Sequence, residues 1–187
     1  EVFHLMSHAK DYGLAAQGIT ADLEAVNGDG LTPLGIACTA GNWRLARFLL
    51  ERGARPQRDG TTPSLVAAAG SDDDDPAGVQ LLLRHKAGVD ARDRRGRSAL
   101  HAAAAAGHAG IAETLLAAGA DADARDDGER TPLLEAALGG HAAVAECLLQ
   151  ARADVQAIDA DGRNALALSA LGDSPSLPLV QRLLQLG

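Results

Sequence analysis

Apolar positions in this chain come in short paired runs, each pair closed by a polar loop that carries glycine. In the first clear pair, Ile36, Ala37 and Cys38 follow Thr32-Pro33. Gly41-Asn42 then interrupts, and Trp43, Leu45, Phe48, Leu49 and Leu50 resume at spacings that bring them onto one side of a helix. Thr-Pro marks the start of the first helix. The hydroxyl accepts from an orphan backbone N–H of the first turn, and proline at the first helical position has no N–H to leave unpaired. The pattern predicts two short helices joined by a Gly-Asn break, the second ending at Gly53-Ala54.

The same arrangement recurs. Ser98 is followed 33 positions later by Thr131, and Thr131 by Asn164 after another 33; Thr62 lies 36 before Ser98, and Thr32 lies 30 before Thr62. A period of this size predicts a stacked array in which each helix pair buries its apolar stripe against its neighbours. The expected units are 27–57, 58–91, 92–124, 125–157 and 158–187, in one solenoid domain. Residues 1–26 form a partial or modified unit, in which VFHLMSHAKDYG is read as a helix covering the open end and Gly18 as a helix cap. Unit 2 departs from the pattern: its opening loop is short, and Ser71-Asp72-Asp73-Asp74-Asp75-Pro76 replaces the compact break between helices. That acidic run is expected to bulge outward as a solvated loop. Unit 5 has a lengthened break from Gly172 to Pro178 and stops at Gly187. With Glu1 in place of a start codon and no closing polar helix, the array is expected to continue in a longer protein.

The third unit, Asp93 to Ala124, reads DRRGRSALHAAAAAGHAGIAETLLAAGADADA. With Thr131-Pro132-Leu133, Ala136-Ala137, Gly140-His141, Leu148-Leu149 and Ala153-Asp154 in the next unit, it resembles the ankyrin repeat over about 160 residues. The resemblance implies an all-α ankyrin-repeat solenoid of stacked helix-turn-helix units with β-hairpin-like loops. It also implies that the loop tips project like fingers and commonly meet protein partners. The alanine pairs Ala67-Ala68, Ala103-Ala104 and Ala136-Ala137 are expected to let first helices approach closely, and Leu115-Leu116 and Leu148-Leu149 to fill the space between layers.

Composition narrows the function. Aromatic residues make up only 2% of the chain, so the core is built of alanine and leucine. The formal charge of −8 argues against a general nucleic-acid binder. No segment has the ~18 consecutive apolar residues of a membrane helix, no membrane contact is expected, and no secretory leader is visible. Cys38 and Cys147 are read as buried free thiols rather than a disulfide or ligands, which suits a reducing, cytoplasmic compartment.

Candidate chemistry is sparse. His101, His108 and His141 sit where the ankyrin pattern itself carries histidine, so they are read as structural. His4 and His8 have the spacing of two metal ligands on one helix face, but nothing nearby completes a site. Asp72–Asp75 lacks the alternation, glycine and closing glutamate of a calcium loop. No nucleophile, base and orienting group occur together, so neither enzymatic activity nor a cofactor or metal is expected.

Two features point to a protein partner. Arg92, Arg94, Arg95 and Arg97 cluster in the third loop. By repeat alignment, the open side of the first helices carries Ile36, Thr39, Ala40, Val66, Ala69, Ala102, Ala105, Glu135, Leu138, Leu168 and Leu171. Asp29, Arg58, Arg95, Arg97, Arg130, Asp161 and Arg163 edge that strip. An apolar strip with a polar rim marks a protein-binding surface. The candidate contact residues are Arg94, Arg95, Arg97, Arg130, Ile36, Glu135, Leu138, Leu168 and Leu171, on a chain expected to be monomeric. The reading is a non-catalytic protein-interaction module; the alternative is a structural spacer within a larger multidomain protein.

Overall fold

A computed structural model describes residues 22–172 and 175–186. The readings placed on residues 1–21, including the covering helix and the His4/His8 pair, lie outside the described residues, as do Asp173, Ser174 and Gly187.

The described helices fall into pairs. α1 (Pro33–Thr39) and α2 (Trp43–Glu51) form the first, α3 (Ser64–Ala69) and α4 (Pro76–Arg84) the second, and α5 (Ala99–Ala106) and α6 (Ala109–Ala117) the third. α7 (Pro132–Gly139) with α8 (Ala142–Gln150), and α9 (Ala165–Leu171) with α10 (Leu177–Leu186), complete the stack. First helices pack in series, α1 on α3, α3 on α5, α5 on α7 and α7 on α9; α4, α6, α8 and α10 form a second layer behind them. Among the described residues the loops hold a single isolated bridge, Ile158 with Asn164, in place of extended strands.

Side-chain caps explain most helix starts. Thr32 Oγ1 accepts from the Gly35 N–H at 3.1 Å, and Asn164 Oδ1 from Ala167 at 2.9 Å. α3, α6 and α8 begin without a cap bond from their own N-cap residue; α3 starts one residue late, after Pro63, with the Thr62 N–H donating to the Gly30 carbonyl at 3.0 Å. Unit 2 thus lacks the threonine cap its sequence suggests.

The loops repeat a second device. Asn27, Asp93, Asp126 and Asp159 each accept, through one side-chain oxygen, the N–H groups two and four residues on. This folds the loop without a β-ladder. The turn after each second helix takes left-handed backbone at Gly53 (φ 95°) and Gly119 (φ 90°). Lys86 (φ 62°) and Arg152 (φ 67°) occupy the equivalent places, where a Cβ is unfavourable.

The core runs unbroken through the stack. Ala68, Ala103, Ala104, Ala136 and Ala137 are fully buried between first helices. Of each leucine pair, the first (Leu115, Leu148) is fully buried and the second (Leu116, Leu149) only partly. Unit 2 again differs. Gly78 stands where α2, α6 and α8 carry Leu45, Ile111 and Val144, all buried. The Trp43 indole of the preceding unit fills that place, so that even a methyl at Gly78 would overlap the ring.

Candidate interaction face

The open side of the first helices holds a trough of about 470 Å³ spanning units 1 to 3. Thr39, Val66, Ala67, Gly70, Ala102, Ala105 and Ala106 line it from the helices, and Asp29, Leu31, Thr62 and Arg97 from the loops. The hollow exists because these helices carry small residues on that side. In unit 4 the positions 33 residues beyond Ala102 and Ala105 hold Glu135 and Leu138.

The candidate contact residues divide into three groups. Ile36, Glu135 and Leu138 are half-buried on the open side, and Leu171, 60% exposed, lies at its far end. Leu168 does not belong there. It is fully buried, because α9 packs between α7 and α10 and its large apolar side chain turns into that junction. Ala69 is likewise fully buried and Val66 nearly so, although Val66 still reaches the trough wall.

The arginines serve the stack as well as its edge. Arg94 donates from Nε (3.2 Å) and Nη2 (2.8 Å) to the Gly60 carbonyl of the preceding loop. Arg92 donates to the Arg125 carbonyl, and Arg125 in turn to that of Ile158 at 3.0 Å. Arg97 pairs with Asp93 at 2.8 Å while facing the trough. Burial alone would raise the Asp93 carboxyl; the N–H groups of Arg97 and Arg95 and the Arg97 guanidinium outweigh it and hold it below the ordinary value. Arg130 pairs with Glu135 at 3.2 Å and approaches Asp159 at 3.8 Å. Asp159 is also held below its ordinary value, burial being overcome by Arg163. Arg95 is different: it is exposed, and its side chain has no partner among the described residues.

The histidines tie units together. His101 Nδ1 accepts the Ser98 N–H at 3.1 Å, so Nε2 carries the proton and donates to the Arg130 carbonyl, 2.9 Å away in the next unit. Burial pushes this imidazole below its ordinary pKa, against the opposing pull of the Arg130 carbonyl and nearby carboxylates. His108 and His141 reach back to the carbonyls of Ala69 and Ala105, both at 3.1 Å.

Asp72–Asp75 is exposed as expected, yet not merely solvated. Asp75 caps its own helix, while Asp74 accepts the N–H groups of Gly110 and Ile111 at 2.9 Å each, capping α6 of the next unit. The sequence reading missed this contact. Cys38 is buried, which pushes its thiol up to about 12. Cys147 departs from expectation: it is half-exposed and donates to Glu113 Oε1 at 3.5 Å.

Among the described residues no group of three or more His, Cys, Asp or Glu side chains could hold a metal ion, and no helix is long and apolar enough to cross a membrane. Sequence comparison now bears on these contacts. A profile of ankyrin repeats matches residues 3–93, 65–126 and 115–187. The chain belongs to the ankyrin-repeat family. It is 37% identical over 105 residues to a B-cell lymphoma 3 protein homolog of Mus musculus, covering 54% of this chain and 23% of that protein. It is also 38% identical over 96 residues to the protein fem-1 homolog A-like of Mus musculus, covering 51% of this chain and 14% of that protein. The matched region is therefore less than a quarter of either relative. Ankyrin repeats are general protein–protein interaction modules and generally non-enzymatic.

Proposed function

We propose that this ankyrin stack is a non-catalytic module that binds a partner protein along its concave side and loop tips. One observation carries the reading: the open trough of about 470 Å³ over units 1 to 3, floored by small side chains and edged by charged loops. A photocrosslinking residue at Thr39, which is exposed and lines the trough, should capture a protein adduct from extract of the host cell; one at Gln150, exposed on α8, should not. Equal capture at both positions, or none at Thr39, overturns the assignment.

A second reading, a scaffold segment packed against another domain, draws on the opposite end. Leu177 (67%), Leu184 (61%) and Leu171 (60%) lie exposed on the last pair. Under that reading Leu177→Glu and Leu184→Glu weaken association, and changes in the trough leave it intact.

A further inference from the structure

We infer that the trough takes an acidic protein segment that seats one bulky apolar side chain over Ala102 and Ala105. This rests on the concave-face reading above and adds the chemistry of the occupant.

Shape gives the apolar anchor. A hollow of about 470 Å³ falls within the size of pockets that enclose a compact group. Its floor of Ala67, Gly70, Ala102 and Ala105 offers apolar contact with few rotamers to freeze. Hollows of this kind are filled at protein interfaces by a buried aromatic or large aliphatic anchor.

Charge gives the acidic flank. The loops of units 2 and 3 (53–62 and 88–98) carry six arginines against three aspartates, in a chain whose net charge is −8. Those of units 4 and 5 (121–131 and 154–164) carry three arginines against eight acids. The basic stretch borders the unit 3 end of the trough, where Arg97 lines it and Arg95 on the same loop is exposed with no side-chain partner among the described residues. The unit 1 end is acidic and lined by Asp29, so the carboxylates of the segment face units 2 and 3. An incoming carboxylate meets complementary charge here and repulsion over units 4 and 5, which fixes where along the stack the segment sits.

The test uses a displayed library of random twelve-residue peptides, selected on the whole chain and counter-selected on Ala105→Arg. Ala105 is exposed, and circular dichroism melts verify that the variant is folded. Affinities of the recovered peptides are then read by fluorescence anisotropy. Enriched peptides should carry Asp or Glu beside an aromatic residue or leucine. Ala105→Arg should weaken them about 30-fold, the loss of a central anchor. Arg95→Glu should weaken them about fivefold, an effect that shrinks with added salt and reverses when the peptide acid is changed to lysine. Peptides that depend on Ala105 but show no acidic preference and ignore Arg95→Glu overturn the acidic occupant while leaving the concave face in place. Failure to recover any peptide sensitive to Ala105→Arg overturns the face itself.

Discussion

The junction between units 2 and 3 and the junctions that follow it reach the same stacked geometry by different means. From unit 3 onward, backbone joins loop to loop: the Asp127 N–H donates to the Arg95 carbonyl and the Ala160 N–H to the Gly128 carbonyl, both at 3.0 Å. At the earlier junction the loop of unit 2 is short, and the Arg94 guanidinium makes the link to Gly60 instead. The helix break of unit 2 is long and acidic, and Asp74 turns that insertion into a cap for α6. Its second helix lacks an apolar residue at Gly78, and Trp43 fills the gap. Deviations in one repeat are thus made good by side-chain contacts across its junctions. A solenoid can tolerate an irregular unit provided that each lost contact is replaced across a junction.

The largest break in this comparison is expected at Trp43. Trp43→Ala should cost about 3 kcal/mol, the low end for an aromatic truncation because the ring is half-exposed. Gly78→Val alone should also destabilise by forcing the ring aside. The double variant restores the arrangement of the other units and should recover most of the loss. Urea melts of the four proteins test this, and simple additivity would refute the compensation. Next comes Asp74→Asn, expected to cost about 1 kcal/mol and to speed hydrogen exchange at Gly110 and Ile111. Arg94→Gln should cost about 1 kcal/mol or less, because the link is exposed, and its effect should diminish as salt is raised. A gain of similar size is expected where the regular pattern wants glycine: Lys86→Gly and Arg152→Gly should each stabilise by about 0.5–1 kcal/mol, relief of left-handed strain exceeding the entropy glycine adds to the unfolded chain.

The gentlest test is pH. His101 has a lowered pKa when folded, so the unfolded chain binds its proton first as pH falls. Stability is flat above about pH 6.5 and declines below it, toward the lower folded pKa. Asp93 and Asp159, also lowered in the fold, add a second decline as pH falls through and below about 4, their ordinary range. His101→Gln should lower stability at neutral pH and flatten the first decline without touching the second.

The ankyrin fold was legible because its determinants are local and periodic. Thr-Pro starts in units 1, 2 and 4, alanine pairs in units 2 to 4 and a step averaging 33 residues mark positions that recur along the stack. What escaped the reading was relational. Leu168 looked exposed by alignment, but burial depends on how α9 sits between α7 and α10. Asp74 looked like one acid among four, and its partners lie 36 and 37 residues away. Trp43 read as part of an apolar stripe; the clue to its role was the glycine at position 78, where neighbouring units carry large apolar residues. Among the loop arginines the cluster was legible but not the division of labour: Arg94 and Arg97 are engaged, and Arg95 has no side-chain partner among the described residues.

The central claim, that the trough over units 1 to 3 is where a protein partner binds, is tested most directly by amide hydrogen exchange of the chain with and without a saturating partner or selected peptide. The account predicts slowed exchange in 62–70 and 97–107, with 142–150 and 177–186 unchanged. Protection confined to α8 and α10, with the trough exchanging as before, would contradict it.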